Sequence, residues 1–363
     1  KKACGLLQLS ISVPKEILYK KYFYRSGINS TMKDHLKKLS LQIEFFFKKK
    51  KKINILDIGC NDGTLLKFFS KKFIKYGIDP SDSFPKSGIR NINFVNDFFP
   101  SNKLKKIAKN IKFNVITSIA MFYDLEKPSY FVKKIKQILE NNGIWIFEVS
   151  YMPEMLKLNS FDTICHEHLE YYSLTVILKI LNKNEMKLAK VELNNSNGGS
   201  IRCYVVKKKC NNYDTKKNLK LIKKILYKER KLNLNTNKPY IKFAKNVAKV
   251  KNDLKKLITK LKSQNKKIHI YGASTKGNTI LQYCGIDNKL IEFAADRNIQ
   301  KKGLKTLGTN ISIISEANSR KLKPHYYLAL PWHFRREFIK REKKFLNKGG
   351  KFIFPLPKVE VTS

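Results

Sequence analysis

Two of the chain's six histidines stand on either side of a glutamate in the run Phe161-Asp162-Thr163-Ile164-Cys165-His166-Glu167-His168-Leu169-Glu170-Tyr171-Tyr172-Ser173. An imidazole titrates near neutral pH, and a neighbouring carboxylate fixes which ring nitrogen is free to take a proton. His168 is therefore the candidate general base and Glu167 its orienting acid. Zinc ligation is the competing chemistry. His-Glu-His spaces its ligands more tightly than the helical His-Glu-x-x-His arrangement, and no third ligand is evident. A hydrogen-bonded structural histidine beside an aromatic cluster is the plainer alternative.

Such a base needs a scaffold, and the pattern predicts strands alternating with helices. Apolar runs at 53–59, 76–79, 93–95, 114–120 and 143–149, separated by helical segments, predict a parallel, doubly wound sheet. The histidine run follows the fifth of these strands, and ligands of open α/β sheets lie beyond the carboxyl ends of the strands. Ahead of them a Tyr-rich turn at 22–27 leads into a helix from about Ser30 that closes on the run Lys48 to Lys52, read as a solvated helix end. A Lys-rich helical stretch at 216–262 bridges to a second alternating unit, with strands expected at 268–272, 291–295, 311–314, 326–330 and 351–354. The expected fold class is α/β with two Rossmann-like units, and the expected divisions are 1–50, 51–190 and 191–363.

Where the first strand turns into its helix stands Leu56-Asp57-Ile58-Gly59-Cys60-Asn61-Asp62-Gly63-Thr64. Its glycines let a ligand approach the backbone closely. It is neither G-x-G-x-x-G nor a Walker loop, since no Gly-Lys-Ser/Thr follows. Asp79 ends the next strand, where a carboxylate can accept hydrogen bonds from both ribose hydroxyls. Asp97, ending the third strand, suits an adenine amino group, and Phe98 can stack on the ring. Ala120 and Met121 follow the fourth strand.

The net charge of +47 invites a nucleic-acid reading, yet only 9 of the 75 basic residues are Arg. Readers of nucleic acid rely on the planar Arg fork, so the Lys excess, with Asn and Ile enrichment, reads as compositional drift. No specific nucleic acid partner is expected. Six scattered cysteines show no C-x-x-C pair, so no disulfide framework is expected and a reducing cytoplasm is the default. No apolar stretch reaches the roughly 18 residues of a membrane span. The start, Lys1-Lys2-Ala3-Cys4-Gly5, has neither an initiator Met nor an apolar signal region and reads as a fragment lacking its N-terminus.

The loop Asp57-x-Gly59-x-x-x-Gly63 followed by strand-ending acids resembles the S-adenosylmethionine site of class I methyltransferases. Four further stretches sharpen the likeness: Tyr151-Met152-Pro153, the run from Phe161 to Ser173, Asn197-Gly198-Gly199-Ser200-Ile201-Arg202, and Tyr271-Gly272-Ala273-Ser274-Thr275-Lys276-Gly277-Asn278-Thr279. Together they look like the nucleotide-sugar C-methyltransferase family, over nearly the whole chain. The resemblance implies a zinc-binding N-terminal module, a central class I methyltransferase Rossmann-like domain, and a second Rossmann-like C-terminal domain that helps hold the nucleotide sugar. Cys4 would be the last zinc ligand, with zinc expected only in the full-length protein. Residues 1–50 would be the remnant of that module with its linker helix.

The implied reaction is methylation of a nucleoside-diphosphate 4-keto-6-deoxy sugar at carbon 3, by attack of a base-generated enolate on the methyl sulfonium. Tyr24, with Tyr22 as runner-up, is the implied donor to the enolate oxygen. Asn197, Gly199, Ser200 and Arg202 resemble a His-Gly-Gly-Ser-x-Arg element, here with Asn for His, whose N–H groups and Arg suit a diphosphate. Lys276 and Asn278 open a helix after a second Gly-bounded loop, where an anion is favoured, and Asp296 ends the following strand. Family members carry Tyr at the position of Cys165, itself assigned to the substrate, and His at that of Met121. An RNA methyltransferase and a nucleotide-sugar-binding protein without activity are the alternatives.

Overall fold

The computed structural model describes residues 4–20, 22, 24–85, 87–109 and 111–362. It divides into two units: Lys1–Tyr151 with His166–Asn194 and Gly199–Lys231, and Met152–Cys165 with Asn195–Gly198 and Leu232–Ser363.

Strands of the first unit are β1 (Leu7–Gln8), β2 (Ile53–Ile58), β3 (Phe73–Asp79), β4 (Ile92–Asn96), β5 (Phe113–Ile119), β6 (Leu139–Ser150), β7 (Glu170–Tyr171), β8 (Met186–Asn194) and β9 (Ser200–Lys207). Seven of them form one sheet in the order β4-β3-β2-β5-β6-β9-β8. The first five are parallel, and β9 runs antiparallel between β6 and β8. The chain reverses its direction of winding between β2 and β5, and the crevice at that reversal is where such sheets hold ligands.

Successive side chains of a strand point to opposite faces, and here both faces are buried. Ile53, Ile55, Val115, Ile144, Ile146, Tyr204 and Val206 pack on one face with Leu36, Leu39 and Ile43 of the helix Ser30–Phe46. Leu56, Ile58, Ile116, Trp145, Phe147, Cys203 and Val205 pack on the other, with the helices Pro128–Ile138 and Leu174–Lys183. Each such fully buried side chain contributes about 1.5–3 kcal/mol. The helices start where expected of their residues: the side chains of Asn29, Ser101 and Ser173 accept from Met32 N, Leu104 N and Val176 N.

The stretch 216–262 is not one helix. It breaks into Lys216–Lys231 and Lys238–Ser263, and the break coincides with the boundary between units. Between them Asn233 takes a left-handed φ of 52°, and Pro239 stands in the first turn of the second helix, where its missing N–H costs nothing.

In the second unit β10 (Ile268–Tyr271), β11 (Phe293–Asp296), β12 (Ser312–Ser315), β13 (Tyr326–Ala329), β14 (Lys351–Phe354) and β15 (Glu360–Thr362) lie in the order β12-β11-β10-β13-β14-β15. All but β15 are parallel. Val247, Val250, Leu254, Ile258 and Leu261 supply the buried stripe of the helix Lys238–Ser263 at three- and four-residue spacing. Among the described residues no helix is long and apolar enough to cross a membrane, and none of the six cysteines forms a disulfide.

Candidate functional site

Gly59, Asn61 and Gly63 take φ values of 74°, 52° and 72°, so the loop after β2 is a succession of left-handed turns. Gly59 meets that conformation without strain and also admits a neighbour: a Cβ there would stand 3.0 Å from Met121 Cγ. Asp57, at the end of β2, is buried and accepts from Thr117 Oγ1 at 2.6 Å. Burial pushes its carboxyl up to about 7, with Asp79 adding and Thr117 opposing.

Asp79 accepts from Asn61 N at 2.8 Å through Oδ2, and from the Ser81 amide at 2.9 Å and hydroxyl through Oδ1. Asp97 accepts from Phe98 N at 2.8 Å and Ser101 Oγ at 2.6 Å. Both carboxylates thus first hold their own loops in shape. A carboxylate has about four lone-pair sites, so Asp79 retains about one, for a ribose hydroxyl, and Asp97 about two, for an adenine amino group. Phe98 lies under Lys15 Nζ, 4.5 Å from its ring centroid. Ala120, at φ 56°, donates from its N to Glu148 O at 2.8 Å. A non-glycine held in that region at a strand end is a common mark of a ligand site. The expected donor residues Asp57, Gly59, Asn61, Gly63, Asp79, Asp97, Phe98 and Ala120 therefore lie at the carboxyl ends of four adjacent strands, and the glycine loop with strand-end acids fits S-adenosylmethionine.

Asn61 has a further employment. Its Oδ1 accepts from Ser26 N at 3.0 Å and its Nδ2 donates to Tyr24 O at 3.0 Å, while Asp62 Oδ2 accepts from Gly27 N at 2.8 Å. The Tyr-rich segment is thereby strapped across the glycine loop. Tyr24 is held by its backbone, with the residue 45% exposed. Tyr22 is the one aimed at the histidine run: its hydroxyl donates to Glu167 Oε2 at 3.4 Å, and Tyr19 donates to Glu167 O at 3.1 Å. Burial, then Glu167, Asp124 and Tyr123, raise the Tyr22 phenol well above its ordinary value, keeping it a proton donor.

His168 is 7% exposed, with its ring against Tyr123 at 4.3 Å between centroids. Tyr123 lies in the short helical turn Phe122–Asp124, four residues past the end of β5. Glu170 was not singled out. It sits in β7, which pairs with β1, and accepts from the fully buried Tyr172 hydroxyl. Burial pushes its carboxyl up to about 7 from 4.5. A carboxyl raised in this way stabilises the fold fully below its unfolded pKa and loses that contribution as pH rises through 7. Glu170→Gln should therefore flatten the stability loss across that window, by up to about 1.4 kcal/mol per pH unit. Urea denaturation of both proteins at pH 5 and pH 8 checks it; a pH-independent difference would mean that Glu170 is ionised throughout.

Arg202 does not face an open diphosphate site. It is 5% exposed, and its guanidinium donates to Glu148 Oε2 at 2.7 Å, Gln42 Oε1 at 3.2 Å and Glu192 Oε2 at 3.3 Å. His35 Nε2 lies 2.8 Å from Glu148 Oε1. β9 and β6 put the pair in direct register, Glu148 opposite Arg202 and Ser150 opposite Ser200. Gly199 O accepts from Tyr151 N at 3.0 Å. Cys4 is exposed, and its carbonyl accepts from Lys179 Nζ at 3.0 Å.

The remaining substrate candidates belong to the second unit. Cys165, in no disulfide, stands at the end of the segment 152–165. Asn197 takes φ 52° in the turn Ser196–Gly198. Lys276 and Asn278 lie in the first turns of the helix Thr275–Cys284, capped by Ser274 Oγ on Gly277 N. Asp296 accepts from Ala273 N at 2.9 Å and Asn298 N at 2.8 Å and pairs with Lys301 at 3.7 Å. That carboxylate closes the second glycine loop upon itself.

Residues 28–191 match the family described as "Methyltransferase domain", and residues 195–357 the family described as "C-methyltransferase C-terminal domain". The chain is 26% identical over 367 residues to "C-methyltransferase NovU" of Streptomyces niveus, covering 99% of this chain and 86% of that protein. Among solved structures, the plantazolicin methyltransferase BpumL with SAH shares 15% identity over 48% of this chain and 83% of its own, at a TM-score of 0.36. Magnesium protoporphyrin IX methyltransferase (ChlM) from Synechocystis PCC 6803, with SAH, shares 14% over 49% and 87%, at 0.38. The chain is thus an S-adenosylmethionine-dependent methyltransferase, whose first part matches the methyltransferase domain and whose second part matches the C-methyltransferase C-terminal domain.

Proposed function

We propose that the enzyme methylates a carbon beside a ketone, carbon 3 of a nucleoside-diphosphate 4-keto-6-deoxy sugar. S-adenosylmethionine, when bound, supplies an electrophilic methyl sulfonium. A ketone acidifies the neighbouring C–H, so the protein's task is to take that proton and steady the resulting enolate. His168 is the base: nearly buried and packed on Tyr123, it follows Glu167 directly in sequence. A positioned base is worth about 10²–10⁴ in rate. Tyr22, kept protonated by burial and its acidic neighbours, is the donor for the enolate oxygen in preference to Tyr24, its single O–H turning from Glu167 to the substrate. The Tyr123 ring, packed on the imidazole, covers one side of the base.

The single observation that carries the reading is the shared placement of Tyr22, Glu167 and His168 in the unit that bears the donor loop. The experiment is mass spectrometry of a panel of 4-keto sugar nucleotides incubated with enzyme in deuterated water, with and without donor. Deuterium should enter the acidic carbon without donor, and a methyl group should be gained with it. A panel showing neither exchange nor methyl gain overturns the proposal.

A further inference from the structure

The second sheet has its own reversal of winding, between β10 and β13, and therefore its own crevice beyond their carboxyl ends. Lys276 reaches it from the helix after β10, and Trp332 and His333 from the turn after β13. The turn Phe161–Thr163 closes it: Phe161 packs on Tyr283 at 5.3 Å, and Trp332 Nε1 donates to Asp162 Oδ2 at 3.0 Å. Gly198 permits this closure, since a Cβ there would stand 3.2 Å from the Trp332 ring and 3.9 Å from Ser160 Oγ.

Four side-chain atoms in this group are buried with no partner among the described residues: Ser160 Oγ, Asp162 Oδ1, Lys276 Nζ and His333 Nδ1. Ser160 and Asp162 are each 2% exposed. Buried polar atoms are nearly always hydrogen-bonded, and a set that is not calls for an explanation such as a ligand. The charges narrow the choice. His333 adjoins Trp332, which donates to Asp162, and Lys276 acts electrostatically on both Asp162 and His333. Burial, then Lys276, pushes the His333 imidazole down to about 3 and leaves it uncharged at neutral pH.

One ammonium, one carboxyl, one hydroxyl and one neutral imidazole make a site of little net charge. A phosphate oxygen brought to Lys276 would also meet the open oxygen of Asp162, and Asp296, where a dinucleotide's ribose would bind, is filled by loop amides and Lys301. A hydroxyl group fits instead, because it accepts from Lys276 while donating to Asp162, and a second hydroxyl beside it serves Ser160 and His333.

We propose that Ser160, Asp162, Lys276 and His333 form a binding site for two neighbouring hydroxyls of a sugar ring. The assignment rests on the nucleotide-sugar reading above, and the hydroxyls come from either the ribose or the hexose of that substrate. The test uses the full chain labelled with ¹³C-histidine, with the His333 signal assigned by its loss in His333→Gln. Methyl ribofuranoside, methyl 2-deoxyribofuranoside, methyl glucopyranoside and inorganic phosphate are titrated separately. The His333 signal should move with methyl ribofuranoside or with methyl glucopyranoside, the responding compound naming the source, and not with methyl 2-deoxyribofuranoside or phosphate. Asp162→Asn and Lys276→Met should each weaken that response about 10-fold or more, with the other histidine signals unchanged as the measure of folding. A stronger response to phosphate, or none to either sugar, overturns the site. A response to sugar from an enzyme that methylates no 4-keto sugar nucleotide counts against the proposed reaction and leaves the site standing.

Discussion

His168→Gln is expected to lower the turnover of methyl transfer by about 10²–10⁴-fold while leaving S-adenosylmethionine affinity unchanged. The donor loop, residues 59–63, draws its shape from Asp79, from Asn61 and from left-handed backbone. The glutamine side chain approximates the ring's length and keeps one polar end, so the contact with Tyr123 is trimmed without opening a large cavity. Solvent deuterium exchange into a 4-keto sugar nucleotide should fall in the same proportion, because exchange and methylation share the proton-removal step. Tyr22→Phe should cost less, since it removes one donor and leaves the base in place. Single-turnover kinetics with equilibrium donor binding separate the two effects. A His168→Gln enzyme within about 10-fold of wild-type turnover would place the base elsewhere, with Glu170 the next carboxyl to test, as its pKa of about 7 suits proton transfer.

The parts legible in the sequence are those whose signal is local. Short apolar runs in β2, β5 and β6 announce strands buried on both faces, and a residue at a strand end declares itself by position, as Asp57, Asp79 and Asp97 do. Partnerships between distant segments left no such mark. Asn61 reads as a donor ligand in its loop, and nothing nearby says that Ser26 and Tyr24, some 35 residues earlier, claim both ends of its side chain. Choosing between Tyr22 and Tyr24 depends on which hydroxyl reaches Glu167, a contact across 145 residues. Asp162 reads as part of the histidine run until Trp332, 170 residues away, is seen to hold it. The motif from Asn197 to Arg202 shows the same limit from the other side. An arginine beside glycines suits phosphate, but strand register puts Arg202 opposite Glu148.

That register yields the second large effect. Arg202→Met should destabilise the protein by about 3–5 kcal/mol, the usual cost of leaving one partner of a buried ion pair uncompensated. Glu148 is 3% exposed; burial alone would raise its carboxyl, and His35 and Arg202 more than reverse that, holding it below its ordinary 4.5. A carboxyl held low contributes stability above its unfolded pKa and loses it as pH falls through the folded value. Without the guanidinium, the Glu148 pKa climbs instead, so the deficit of Arg202→Met should be greatest near neutral pH and shrink as the solution is acidified toward the carboxyl's protonation. Glu148→Gln added to Arg202→Met should recover part of the loss, because a neutral amide beside a thioether leaves no buried charge. Denaturant titrations of the four proteins at pH 5 and pH 7.5 measure both the deficit and its pH slope. If Arg202 instead served a diphosphate, the single variant would melt like the wild type and lose substrate affinity alone, and the buried network with Glu148, His35 and Glu192 would have no part in holding β9 against β6.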